Sequence, residues 1–563
     1  MNHGDAWSRP AAGREPAAAA LLGWLEDFSA PRLCLVSGGA GCGKSSLLAW
    51  LVRHGAGSAV LPERRVHAFV PLEGRSVLGT VWMLADQLGV VARALGELVA
   101  SLDADDRPTT IVLPDLHAGS GSDALVEMVL ALRGLEHVRL VVEARSGSAA
   151  CRRLAEAGAA VMDLDDHQWT DPVRYENWRA ADTADAQPAV STGQQGITEM
   201  DLDDPAALCA ADPLHVTTAF ETDTDEHGGL RTAWLRAGQS LCRDQEPADR
   251  ALVLLTALGD SADPRLSPDL RKLAGTAGWQ PRWSRVRGDV TPPWPGPVLA
   301  LATGLPSNHV VLLADHQGTL RMVSTTDGAP SGRLALPVAQ PKALAVLDNG
   351  PVLVLNSSGH LHAQTLPTAP RSSGIEALLN DGPTAAEQLT AALSTWLTGI
   401  SGTAIAASSG LASVGDSQGR VHAFNIGAAG EAPRTARLHT GRVTALSAVS
   451  LPAGDDVEAV TLVYSGGADG TVRAWAPTTH PLRTPVAERG CPVAALSAAD
   501  TRSGPALAIG WTDGTVELLG LDTGQSRLFR PGAPVNALAL NHDEDLLVGM
   551  DDRVICLRPR WHG

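Results

Sequence analysis

The chain has 563 residues, 44% of them apolar and 19% charged, with a formal net charge of −18. The length suits about three or four domains of ordinary globular make-up, and the negative charge excludes a broad nucleic-acid surface or adhesion to anionic lipid. Seven scattered cysteines (Cys34, Cys42, Cys151, Cys209, Cys242, Cys491, Cys556) form no C-x-x-C pair, which excludes a disulfide frame or a zinc site. With no apolar run of bilayer length and no basic-then-apolar leader, the sequence reads as that of a cytoplasmic protein.

Residues 1–12 are polar and alanine-rich. Glu15 to Phe28 reads as a helix entered through Pro16, just after Gly13-Arg14-Glu15; alone, that triplet is a helix start with a solvated arginine. Leu33-Cys34-Leu35-Val36 then reads as a buried strand, and Ser46 to Val52 as an apolar-rich helix. Between them Gly38-Gly39-Ala40-Gly41-Cys42-Gly43-Lys44-Ser45 fits G-x-x-x-x-G-K-[ST] in full. The residue types suit a phosphate cradle. Glycines let backbone N–H groups turn inward, and the helix N-terminus at Ser46 adds positive potential. Lys44 would reach the β- and γ-phosphates of ATP or ADP, and the Ser45 hydroxyl would hold Mg²⁺.

Further strands and helices alternate. Val66 to Val70 reads as a strand, Val77 to Gly89 as a helix, and Thr109 to His117 as a hydrophobic strand ending in Asp115. An acid there suits Mg²⁺, which needs oxygen ligands beyond the phosphates, though an exposed strand-end Asp is the plain alternative. Pro114 stands where a second acid would polarise an attacking water, and Glu143 on the next strand is a substitute the spacing leaves open. Hydrolysis is therefore expected to be slow or absent. The strand Val138 to Ala144 ends at Arg145, a cation that could read the γ-phosphate or simply face solvent. Ala159 to Leu164 completes a parallel α/β sheet of about five strands.

Residues 180–206 are polar and acidic and read as a linker. Pro213 opens a helix through Phe220, and helices follow at Gly229 to Cys242, Ala248 to Leu258 and Ser267 to Ala274. They suggest a small helical segment, of winged-helix kind or a plain spacer.

From about residue 297 the chain repeats. Turns lead into alternating strands at Asp315 to Leu320, Asn356 to Leu361, Asp416 to Val421, Ala468 to Val472, Thr512 to Val516 and Met550 to Val554. Inner strands recur as Val298-Leu299-Ala300-Leu301, Val443-Thr444-Ala445-Leu446, Val493-Ala494-Ala495-Leu496 and Val535-Asn536-Ala537-Leu538. Their small residues suit strands crowded around an axis. About six blades result, seven being the alternative count, and a strand within Trp283 to Val290 could complete the last. The third unit carries a helical-looking insertion at Gly374 to Leu397, read as a loop excursion and contact site.

The order Gly13-Arg14-Glu15, Gly38 to Ser45, Pro114-Asp115-Leu116-His117 and the strand ending at Arg145 resembles the signal-transduction NTPases with numerous domains (STAND), relatives of the AAA+ ATPases. The second half resembles a WD-repeat β-propeller, best at Ser465 to Trp475, although the Trp-Asp dipeptide itself is missing. The resemblance implies that Arg14 and Pro213 lie near the nucleotide base, and that Arg145 is the sensor arginine. It also implies a phosphate-reaching histidine in the helical segment, yet no histidine occurs between His227 and His309. Residues 1–167 would be the nucleotide domain, 168–290 linker and helical segment, and 291–563 the propeller. A nucleotide-controlled switch is then expected, its propeller sensing a ligand or protein partner, with homo-oligomerisation and output through a separate effector. The alternative is an interaction scaffold whose nucleotide is structural.

Overall fold

The computed structural model describes residues 10, 13–55, 61–177, 200–288, 296–305, 309–336, 340–347, 351–364, 385–426, 431–452 and 459–561. Most of the expected linker 180–206 and the first part of the insertion, 374–384, lie outside them. The chain forms two compact units, Met1–Asp225 and Glu226–Gly563.

In the first unit, helix α1 (Glu15–Glu26) precedes five parallel strands: β1 (Leu33–Ser37), β2 (Ala68–Phe69), β3 (Thr109–Leu113), β4 (Val138–Glu143) and β5 (Ala160–Asp163), in the order β2-β3-β4-β1-β5. Parallel strands need crossovers, supplied by α2 (Lys44–Gly55), α3 (Val77–Gln87), α4 (Leu95–Asp103), α5 (Ser122–Arg133) and α6 (Ala149–Glu156). Helices cover both faces, so β1, β3 and β4 are mostly apolar and buried along nearly all their length. The order reverses around β1, which sets its carboxyl end between those of β4 and β5.

Two elements stop earlier than the pattern suggests. β3 ends at Leu113 because Pro114 has no N–H to give, and Asp115 then adopts a left-handed φ of 60° that turns the chain into Leu116–Ala118. α1 ends at Glu26, leaving Phe28 73% exposed.

The second unit begins with helices Leu230–Leu241, Pro247–Ala257 and Leu266–Leu273, followed by strand β6 (Trp279–Val286). Six antiparallel sheets then form a ring: a six-bladed β-propeller. Its first strands are Val298–Ala302, Pro341–Val346, Gly402–Ser408, Val443–Leu451, Val493–Thr501 and Ala537–Leu540, each in contact with the next around the circle. The six turns read from the sequence all connect second to third strands. In five of them an Asp or Asn side chain takes the turn's amides, as when Asp416 Oδ1 accepts from Gln418 N and Arg420 N at 2.8 and 2.9 Å. Gly470 (φ 73°) has no room for a side chain, since a Cβ would meet the Arg489 carbonyl at 2.1 Å.

The ring closes through β6, which pairs antiparallel with Arg553–Pro559, from Val286↔Arg553 to Trp279↔Pro559. The closing strand thus comes from just before the ring and runs through Trp279, four residues earlier than the pattern suggested. Trp279 is buried, donates its indole N–H to the Leu528 carbonyl at 2.9 Å and lies edge-on to Phe529. The insertion helix, Ala385–Trp396, is more than an excursion. Leu389 and Leu393 pack into the core between Leu353, Leu355 and Ile405.

Closure by β6 makes a prediction about stability. Trp279→Ala should destabilise the chain by about 3–5 kcal/mol, as buried aromatic truncations do. Trp396→Ala, at a 44% exposed position, should change it by no more than about 0.5 kcal/mol. Thermal and urea denaturation of the two variants would measure both.

Candidate functional site

Directly after β1 the chain enters the glycine-rich loop. Gly38, Gly41 and Gly43 take φ of 151°, 71° and 90°, which side-chain-bearing residues rarely adopt. A Cβ on Gly38 would lie 2.5 Å from Cys42 Sγ, so this loop closes only with glycine there. Gly39 and Ala40 form its outer edge. α2 starts at once, and Leu47 N donates to Gly43 O at 3.0 Å. The amides of Lys44, Ser45 and Ser46 therefore precede the first intrahelical bond and form a donor cluster for an anion.

Lys44 is buried (7% exposed), an unusual place for a lysine. Its Nζ donates to the carbonyls of Gly38 (3.1 Å) and Gly39 (2.7 Å) and lies 3.9 Å from Glu143 Oε1. Strand order makes that ion pair. β1 and β4 are neighbours in register Val36↔Glu143, so the last residue of β4 comes up beside the loop.

Glu143 is the acid that sequence spacing offered only as a substitute, and it belongs to the site. It is 1% exposed and accepts from the Ser45 hydroxyl and the Asp115 backbone N–H, while its Oε2 is buried with no partner in the structure. Burial, and then the charge of Asp115, push its pKa up to about 7 against the opposing pull of Lys44. A strand-end acid is an ordinary sequence feature. What would have singled it out is the parallel order, which puts the ends of β1, β3 and β4 on one edge.

Asp115, half-buried, sits two residues beyond β3. His117 follows, its ring held toward the neutral form by burial and by the charges of Arg145 and Lys44, with Asp115 opposing. Arg145 is exposed at the same edge. Gly38 to Ser46, Asp115, Glu143, His117 and Arg145 thus share one edge of the sheet.

Arg14 and Pro213 have contacts of their own. Arg14 is buried behind the loop: Nε donates to the Cys42 carbonyl at 3.0 Å and Nη1 to Leu164 O at 2.8 Å, with further bonds to Cys42 O and Thr170 Oγ1. Its guanidinium ties the glycine loop, through the Cys42 carbonyl, to the segment that follows β5. Pro213 starts the helix Pro213–Thr222, which packs against the start of α3, Leu214 beside Gly79 and Glu221 bonded to Ser76. One contact was not legible: Asp165 Oδ2 accepts from the Gly39 N–H at 2.8 Å, placing a carboxylate on the loop's outer edge.

Chemically, the edge offers amide and ammonium donors for an anion, and a hydroxyl with two carboxylates for a hard cation. Among the described residues no group of three or more His, Cys, Asp or Glu is arranged to hold a metal by itself.

The carboxyl of Glu143 titrates above the ordinary 4.5, so its contribution to stability is complete at about pH 4 and is lost as pH rises through about 7, roughly 3 kcal/mol in all. Glu143→Gln should flatten that slope. Urea denaturation of both proteins between about pH 5 and 8, without nucleotide, tests this; parallel slopes would refute it.

No protein-family model and no curated protein matches the chain. Among solved structures it is similar to the computationally designed Ika8 protein, at 19% identity over 50% of this chain and 100% of that one, with a TM-score of 0.29. A likeness so distant carries no argument about function.

Proposed function

We propose that this chain is an ATP- or ADP-binding switch of the STAND type, a P-loop NTPase related to the AAA+ ATPases, whose propeller senses a ligand or a protein partner. The observation that carries the reading is the buried Lys44 ammonium, held in a glycine loop at the carboxyl end of β1 and facing Glu143 and Asp115 across the neighbouring strands. A buried cation whose hydrogen bonds go to its own loop carbonyls can exchange them for phosphate oxygens at little cost.

The donor set fits Mg²⁺, which would be held by Ser45 and Asp115 and would neutralise phosphate charge when bound. Hard oxygen ligands from a hydroxyl and one or two carboxylates, with the rest left to water and phosphate, are what this ion takes. Glu143 Oε2 and His117 Nδ1 are buried at the site without a hydrogen-bond partner, and of the two the carboxylate is the group that would take a proton from water. Burial and the Asp115 charge favour its protonated form, which is a poorer proton acceptor and would keep turnover slow. Arg145, exposed at the same edge, is the cation able to distinguish a third phosphate. Arg14 acts here on the loop's backbone. Exchange of ADP for ATP would bias conformation or homo-oligomerisation, with output through a separate effector.

A second reading, a propeller scaffold with a permanently held nucleotide, is favoured by the Arg14 brace, because a loop tied from behind opens slowly.

Equilibrium binding and release of fluorescent ADP and ATP test the proposal. Lys44→Ala should weaken binding about tenfold or more, and Glu143→Gln should retain binding while slowing turnover about a hundredfold. Wild-type protein that takes up neither nucleotide would end the switch reading. Binding with no measurable exchange over hours would favour the scaffold.

A further inference from the structure

The first strands of the ring share an irregularity that places chemistry on its axis. Val298 pairs with Asp315 and Ala300 with Ala314, which leaves Leu299 out of the ladder. The same one-residue shift leaves out Lys342, Thr403, Thr444 and Ala494 in the next four blades. In the last blade Val535-Asn536-Ala537 repeats the pattern, with Asn536 in the equivalent place. A bulge turns its extra residue away from the normal alternation. All six of these residues line one cavity of about 620 Å³, enclosed by first strands of every blade, a volume typical of small-molecule sites.

The six are chemically uneven. Thr444 already donates its hydroxyl to Gly466 O at 3.1 Å, and the Asn536 amide is taken by Asp551 at 2.7 Å. Lys342 and Thr403, neighbours around the ring, are different. Thr403 is 4% exposed, and its hydroxyl is buried with no hydrogen-bond partner in the structure. Lys342 is half-buried, and the charge acting on it is that of another cation, Arg442; burial first, and then Arg442, push its pKa down to about 8. Burying an ammonium beside a like charge is unfavourable, and an unpaired buried hydroxyl adds to the cost. An anion relieves both. His316 and Gln340 also line the cavity, Gln340 already accepting from Ser357 at 3.1 Å.

We propose that the channel of the ring binds a small organic anion, its carboxylate or phosphate group taken by the Lys342 ammonium and the Thr403 hydroxyl, and its apolar part resting on Leu299 and Ala494. As the identity of the sensed ligand, this rests on the sensor reading given above; as a binding site it stands alone.

The test is calorimetric titration of the full chain carrying Lys44→Ala, which keeps anions off the glycine loop, with succinate and with inorganic phosphate as separate probes. At least one probe should bind saturably, and which one does distinguishes a carboxylate from a phosphate ligand. Adding Lys342→Met should weaken that binding about tenfold or more, as loss of a charged hydrogen-bond donor does. Thr403→Val should weaken it severalfold, while Thr403→Ser retains it. Saturable binding of neither probe would overturn the proposal. So would equal affinity in the Lys342→Met variant with its thermal unfolding unchanged. Nucleotide exchange is not read in this titration, so the switch and the anion site can fail independently.

Discussion

A lysine ammonium cannot be buried without oxygen around it, and the amino-terminal unit is arranged to provide that oxygen. Lys44 has the Gly38 and Gly39 carbonyls on one side and the Glu143 carboxylate on the other. The carbonyls are available because Gly38, Gly41 and Gly43 bend the backbone through conformations closed to other residues. The carboxylate is available because β4 lies against β1. Desolvation of Glu143 follows from the same packing, since the strand that delivers it is covered by helices on both faces. Burial favours the proton on Glu143 and the Lys44 ammonium opposes it, and both effects come from the same packing.

The loop is also held from outside. Arg14 donates to the Cys42 carbonyl, and Asp165 takes the Gly39 amide. Both ties reach the loop from distant parts of the chain, before β1 and after β5, so the geometry of eight residues depends on the first unit folding as a whole. The cost of a buried guanidinium is met by four hydrogen bonds to oxygen, the arrangement that Arg, with its fixed fork of donors, makes better than Lys.

The carboxyl-terminal unit solves a different problem, that of sheet edges. Six short sheets would each expose unpaired strands, and arranging them in a ring buries blade against blade. The last blade borrows β6 from before the ring, so the two ends of the propeller are joined by a ladder of backbone hydrogen bonds and not by the chain alone. The bulge that opens five of the six first strands is the local adjustment that lets the ladder continue while one residue per blade lines the axial cavity. Small side chains at the surrounding positions, mostly Ala, leave room for a cavity there.

Much of this was legible in the sequence, because the information is local. The glycine spacing before Lys44-Ser45 encodes a turn and a helix start within eight residues, and the alternation of apolar runs with helices encodes a parallel sheet. The recurrence of turn residues followed by β-branched strands encodes the blades. Asp115 at a strand end and the early stop at Pro114 were within reach of the same reasoning. What the sequence could not decide is who stands beside whom. That Glu143 stands beside Lys44 and Asp115 depends on the order β2-β3-β4-β1-β5, and that Arg14 is buried against the loop depends on the packing of the segment after β5. That Leu299, Lys342, Thr403, Thr444, Ala494 and Asn536 form one ring depends on closure by β6. Spacing along the chain determines torsion angles and periodicity over a few residues, whereas neighbours across a sheet or around a ring are chosen by which faces can be buried together, and that choice is made only when the whole unit packs.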